Sequence, residues 1–259
     1  MRIAAGQCAG ARRAAGVSSL NLPLQPIYLF ADSQLLWWKQ EGGLFLSRVR
    51  EALESEAPSA AYIGASNGDE PVFYSLFEAA MANVGINRRR MIRSSFDEDD
   101  ALFLDRADLI LLAGGSVERG WRVFEKTGLK EAITRRYYEG ALLIGSSAGA
   151  VQMGLYGRAQ DAAAPNLFQT LMLVPFIIGV HEERTGWESL KSSLRSAGDF
   201  QRGIGIPAGG GMIYHPDHSL EPVRYPLYEF SLSGERVERN LLLAPGAHDE
   251  HETVEMNRV

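Results

Sequence analysis

The apolar run Ala141 to Ser146 (ALLIGS) passes directly into Ser147-Ala148-Gly149-Ala150-Val151, and no other junction in the chain restricts the fold as much. An apolar run of this length reads as a buried strand, and the small residues after it open a helix. Gly145-Ser146-Ser147-Ala148-Gly149 fits Gly-x-Ser-x-Gly, the sharp strand-to-helix turn that lifts the central hydroxyl clear of the sheet. Small residues on both sides are a steric need, because the turn is strained and the helix must pack close to the strand. The start of that helix offers free N–H groups and partial positive charge where an oxyanion would form. A glycine-rich turn with an incidental serine also satisfies the pentapeptide, but the buried strand before it and the helix after it favour the functional reading.

The flanking chain alternates strand-like and helix-like segments, the pattern of an α/β fold with a mostly parallel sheet covered by helices on both faces. Strands are expected at Ile27 to Ala31, Ala60 to Ala65, Ala107 to Ala113 and Ala141 to Ser146, with a short edge strand at Met91 to Phe96. Apolar spacing predicts helices over 44–53, over the stripe Val72 to Val84, and over 117–126 and 129–139. Asp69 is placed to cap the second of these, and Gly140 to end the last in a left-handed conformation. No internal repeat or long linker divides the sequence, and 259 residues with 46% hydrophobic content suffice for one core. The expected organisation is an N-terminal extension over 1–24, loosely ordered, and one α/β domain over 25–259.

A formal net charge of -6 argues against nucleic acid as a partner, since that needs a basic face to neutralise phosphates. Arg88-Arg89-Arg90 is the one basic run and reads as a solvated turn. No stretch of about 18 apolar residues exists, so no membrane-spanning helix is expected. The single cysteine, Cys8, cannot form an internal disulfide, which favours a reducing, cytoplasmic compartment. Trp37-Trp38 is open between core packing, a substrate wall and the face of a homodimer.

A nucleophilic serine needs a base, and the five histidines can be weighed one by one. His215 and His218 fall in a polar turn, and His248 and His251 in an acidic tail. Their His-x-x-His spacing puts no two imidazoles on one helical face, so no metal site is expected. His181 instead closes the apolar run Leu171 to Val180, at the edge where parallel sheets bind ligands. An acid must then orient the imidazole. Asp161, 14 residues after Ser147, and Glu183, two after His181, both qualify, and spacing alone does not choose between them.

Together these residues resemble the dipeptidase E and cyanophycinase serine peptidases, which have a class I glutamine amidotransferase-like fold. The likeness runs from about 27 to 230 and is carried by Gly145 to Ala150, by Ala107 to Ser116 (ADLILLAGGS), by His181 and by Gly203-Ile204-Gly205-Ile206. It implies a three-layer α/β sandwich with Ser147 as nucleophile, His181 as base and the N–H groups of Gly115 and Ala148 as oxyanion donors. The acid of dipeptidase E falls close to Asp161, which favours that residue over Glu183. The family's aspartyl substrates imply a cation in the pocket, with Arg184 nearest and Arg158 second. The implied partner is a small peptide, and the reaction needs no metal or cofactor.

Departures from the family pattern bear on the substrate. Ser116 stands where an asparagine usually helps to position the oxyanion loop, Glu182 stands where phenylalanine is common after the histidine, and Pro207-Ala208 replaces an acidic residue after Gly-Ile-Gly-Ile. Three other readings share parts of this pattern. An α/β-hydrolase esterase has the same elbow and the order Ser, Asp, His, but lacks a counterpart here to its upstream His-Gly-Gly-Gly. A silent binding protein could keep the fold without the chemistry. A glutamine-hydrolysing subunit would need a cysteine where Ser147 stands.

Overall fold

A computed structural model of the chain describes residues 23–243, apart from 41, 160–165, 200 and 235. The first strand, β1 (Ile27–Phe30), leads through a small hairpin of β2 (Lys39–Gln40) and β3 (Gly43–Leu44) into helix α1 (Leu46–Glu51). Then follow β4 (Ser59–Ile63), α2 (Pro71–Asn83), β5 (Arg88–Ile92), α3 (Glu98–Leu104) and β6 (Leu109–Leu112). Helices α4 (Val117–Thr127) and α5 (Leu129–Tyr138) are split by Gly128, whose φ of 80° only glycine adopts cheaply. Next come β7 (Leu142–Ser146) and α6 (Ala148–Met153).

These strands build a seven-stranded sheet in the order β13-β12-β1-β7-β6-β4-β5, with β12 (Gly211–Tyr214) and β13 (Leu220–Val223) as its far edge. Strands β1, β7, β6, β4 and β5 pair parallel, and β12 and β13 add antiparallel. Alternate residues serve opposite faces, as the two-residue strand period demands. Leu29, Ile63, Leu112 and Leu143 meet Trp121, Phe124 and Ile133 of α4 and α5 in one buried layer. Tyr28, Phe30, Tyr62 and Ile144 meet Phe45, which precedes α1, Val49 of α1, and Phe77 and Met81 of α2 in the other. Runs that are apolar at every position, such as Leu109 to Leu112, are therefore the signature of strands buried on both faces. The result is the expected three-layer sandwich with a mostly parallel central sheet.

A second sheet, which the sequence did not separate from the first, lies beside it. After the short pair β8 (Tyr156–Arg158) and β9 (Leu167–Gln169), strand β10 (Ile177–Val180) and helix α7 (Glu188–Ala197) precede β11 (Arg202–Ile206). With β14 (Leu227–Ser233) and β15 (Arg236–Leu242) the order is β10-β11-β14-β15, parallel only between β10 and β11. Ile178, Val180, Ile204 and Ile206 join the larger core. On the other face Trp187 and Leu190 lie flat on Gly179, Gly203 and Gly205. A Cβ at Gly205 would come within 2.8 Å of the Trp187 ring.

Several expectations are corrected. Arg88-Arg89-Arg90 begins edge strand β5 rather than forming a turn, so the expected edge strand starts three residues earlier than Met91 and ends at Ile92, and Arg90 pairs with Asp100 at 2.7 Å. Asp69 does not cap α2. It sits at φ 61°, and its carboxylate accepts from the Ser94 N–H at 2.8 Å, leaving Glu70 at the cap without a side-chain bond. Of the run Leu171 to Val180 only Ile177–Val180 is strand. Residues 1–22 and the acidic tail with His248 and His251 lie outside the described residues. Among the described residues no helix is long and apolar enough to cross a membrane.

Candidate active site

Ser147 sits between β7 and α6 at φ 50°, ψ -109°, a conformation that costs a non-glycine residue on the order of 1–3 kcal/mol and persists only when its surroundings impose it. Here they do. Its N–H donates to the Phe30 carbonyl at 2.9 Å, and its own carbonyl accepts from Val151 at 3.1 Å to begin the helix. A Cβ on Gly145 would stand 2.7 Å from the Ala150 backbone, and one on Gly149 would overlap the Leu112 carbonyl. The two glycines of the pentapeptide thus let α6 close onto β7 and β6.

Gly114-Gly115 ends β6 beside this turn. Gly115 has φ 133°, and a Cβ there would overlap the Ser66 carbonyl, which also accepts from the Ser116 N–H at 2.8 Å. Buried Gln152 of α6 ties the loop down, its amide donating to Ser66 Oγ at 3.1 Å and to the Val117 carbonyl at 3.0 Å. Sequence reasoning missed Ser66 and Gln152, because nothing local marks a contact between residues so far apart. Ser116 caps α4 by accepting from the Arg119 N–H at 3.2 Å, so it shapes the loop from beneath. The N–H of Ala148, first in its helix, has no partner within that helix.

His181 follows β10 at φ 46°, anchored by its N–H to the Ile206 carbonyl at 2.9 Å. Its Nε2 stands 3.0 Å from Ser147 Oγ. Two sheets therefore meet at this pair, the first presenting the hydroxyl and the second the imidazole. Glu183 turns away, its Oε1 accepting from the Ala208 N–H at 3.3 Å, and Asp161 lies outside the described residues. Among the described residues the ring makes no other hydrogen bond.

Ser147, His181, Gly115 and Ala148 line one cleft of about 420 Å³, together with Arg158 and Glu182. Arg158 is half-buried at the end of β8 and has no ion pair among the described residues. Arg184 is exposed in a short turn and does not line the cleft. Glu182, the departure from phenylalanine noted in the sequence, lines the cleft as a polar group. Burial pushes its carboxyl above the ordinary value, opposed by hydrogen bonds from Leu190 and Ser189 and by the charge of His181.

The other two histidines among the described residues are engaged elsewhere, His215 with Glu221 at 3.0 Å and His218 with the Tyr214 hydroxyl at 2.6 Å. Among the described residues no group of three or more metal-ligating side chains stands together. Trp38 packs on Phe45, with ring centroids 5.7 Å apart, while Trp37 is partly exposed.

The model of peptidase family S51 matches residues 39–220, a span that holds both Ser147 and His181. The chain belongs to peptidase family S51. A Peptidase E of Streptomyces coelicolor is 28% identical over 149 residues, which cover 55% of this chain and 60% of that protein. The chain thus spans less than two thirds of the length of that curated relative. Among solved structures, a peptidase from an acI-B1 Actinobacterium matches with a TM-score of 0.63 and 14% identity, covering 85% of this chain and 95% of its own. A Peptidase E-type protein from Listeria monocytogenes matches with a TM-score of 0.52 and 17% identity, covering 85% and 100%. At such identities the likeness is one of fold, and for this S51 chain it agrees with the class I glutamine amidotransferase-like sandwich implied by the sequence.

Proposed function

We propose that the chain is a serine peptidase that hydrolyses an amide bond of a small peptide or an aspartyl-containing substrate through an acyl-enzyme. The observation that carries this reading is the strained Ser147 with its hydroxyl 3.0 Å from His181 Nε2. His181 takes the Oγ proton as Ser147 attacks the carbonyl carbon, and the negative oxygen is met by the N–H groups of Gly115 and Ala148. The imidazolium then gives its proton to the leaving amine, the C–N bond breaks, and water, deprotonated by the same imidazole, releases the acid and restores Ser147.

Asp161 is the acid we assign to the imidazole, since Glu183 is committed to the Ala208 N–H. Arg158 is the cation we assign to a substrate carboxylate in place of Arg184, because it lines the cleft without an ion pair among the described residues. A single cysteine with no internal partner supports a cytoplasmic setting for the reaction. Hydrolysis of an aspartyl-dipeptide panel and of p-nitrophenyl esters, by the wild type and by Ser147→Ala, tests the proposal. Dipeptide cleavage lost in the variant is expected, whereas strong ester turnover with intact dipeptides would defeat it.

A further inference from the structure

A second cavity, of about 250 Å³, opens beside Ser147 and also contains Gly115, but neither His181 nor Ala148. Its walls are Leu36, Tyr62, Phe73, Leu76 and Phe77, of which Leu36, Tyr62 and Phe77 belong to the apolar layer on the α2 face of the central sheet. The first cleft instead is lined by Ile178 and Val180 of the opposite layer. Ser147 thus stands on the rim of the sheet between two cavities of different character. The first carries Arg158 and Glu182. Among the described residues the second is lined by no cation, and the charged side chain that lines it is Asp32, whose carboxylate is fixed by the N–H groups of Gln34 at 2.8 Å and Gly209 at 2.7 Å.

Helix α2 supplies a second observation. Its apolar stripe is wider than the face it buries, for Phe77, Ala80 and Met81 are covered while Phe73 is 48% and Leu76 42% exposed. Both of these uncovered side chains line the second cavity. The Tyr62 hydroxyl there already accepts from Asn67 at 2.7 Å, so the tyrosine ring faces the cavity with its polar end engaged.

We infer that the second cavity is an apolar subsite for the substrate residue on the far side of the scissile bond from the group that Arg158 holds. The inference rests on the serine peptidase reading. A carbonyl carbon on Ser147 Oγ with its oxygen toward the Gly115 N–H has one flank in each cavity, because both cavities share those two residues. With the acidic acyl portion beside Arg158, the leaving residue passes over Gly115 and meets leucine and aromatic side chains, where an apolar side chain gains by leaving water. A carboxylate there finds no cation and faces Asp32, so acidic leaving residues are rejected.

The experiment is a kcat/KM series on Asp-Leu, Asp-Phe, Asp-Gly and Asp-Glu with the wild type, Leu76→Glu and Phe73→Ala, each variant first shown to melt as the wild type does. Asp-Leu and Asp-Phe should exceed Asp-Gly by roughly tenfold or more, the discrimination expected of a few buried methylene groups, and Asp-Glu should be the poorest. Leu76→Glu should bring the Asp-Leu to Asp-Gly ratio close to one, with Phe73→Ala between the two. Equal turnover of all four by the wild type, or a preference that survives both substitutions, overturns the subsite while leaving the peptidase reading intact. Absence of Ser147-dependent cleavage of any of the four overturns both.

Discussion

The two sheets hold their halves of the site in opposite ways. The seven-stranded sheet clamps Ser147 sterically. Backbone meets backbone at Gly145 and Gly149, and the strained serine has nowhere else to go. The four-stranded sheet holds His181 by one backbone hydrogen bond to Ile206 and leaves the imidazole exposed, over glycines whose neighbours are side chains rather than backbone. Both residues hold a positive φ, but only the proposed nucleophile is locked by backbone against backbone, while the proposed base sits on a support bounded by side chains.

The largest expected effect separates chemistry from stability on the second sheet. His181→Ala should lower kcat for peptide hydrolysis by roughly 10⁴-fold or more while leaving stability within about 0.5 kcal/mol, because the side chain is exposed. Steady-state kinetics and a thermal melt on one sample check both halves. The next largest compares glycines across the two sheets. Gly149→Ala drives a Cβ into the Leu112 carbonyl and should cost about 3 kcal/mol, or roughly 6–12 °C in Tm. Gly205→Ala meets the buried Trp187 ring at 2.8 Å, a side chain rather than backbone, so a smaller loss of about 1–2 kcal/mol is expected. Equal losses would break the contrast between the sheets.

The smallest effect concerns Glu182. Its carboxyl is raised by burial, so it binds a proton more tightly in the folded chain than in the unfolded one. The stability this gives is present at pH below the ordinary carboxylate value near 4.5 and is lost as pH rises through the raised folded value. Glu182→Gln should therefore melt slightly higher than the wild type at pH 7 and no higher at pH 4. A variant that melts lower at pH 7 would show that the hydrogen bonds from Leu190 and Ser189 outweigh the cost of burial.

What was legible in the sequence follows the same division. The elbow could be read because its steric demands fall within six residues, and Gly114-Gly115 because it ends a strand apolar at every position. The second sheet could not, since β10, β11 and β14 are brought together by pairings such as Gly205 with Tyr228 that no local pattern announces. Proximity to His181 in the chain pointed to Arg184, but the turn after the histidine carries that side chain to solvent, while Arg158 returns to the cleft on the β8–β9 pair. Glu182 could be read only as a departure from phenylalanine, because its place in the site depends on the N–H of Leu190 in α7. Asp69 looked like a helix cap by position, yet Ser94 offered its carboxylate a donor across the sheet edge.

The account stands on one claim, that a hydroxyl lifted by the first sheet is activated by an imidazole held by the second. Fluorophosphonate labelling followed by intact-protein mass spectrometry, on the wild type, Ser147→Ala and His181→Ala, tests it most directly. The account predicts one adduct on Ser147 in the wild type, none in Ser147→Ala, and labelling slowed by roughly 100-fold or more in His181→Ala. Labelling of His181→Ala at the wild-type rate, or an adduct that persists in Ser147→Ala, would contradict it.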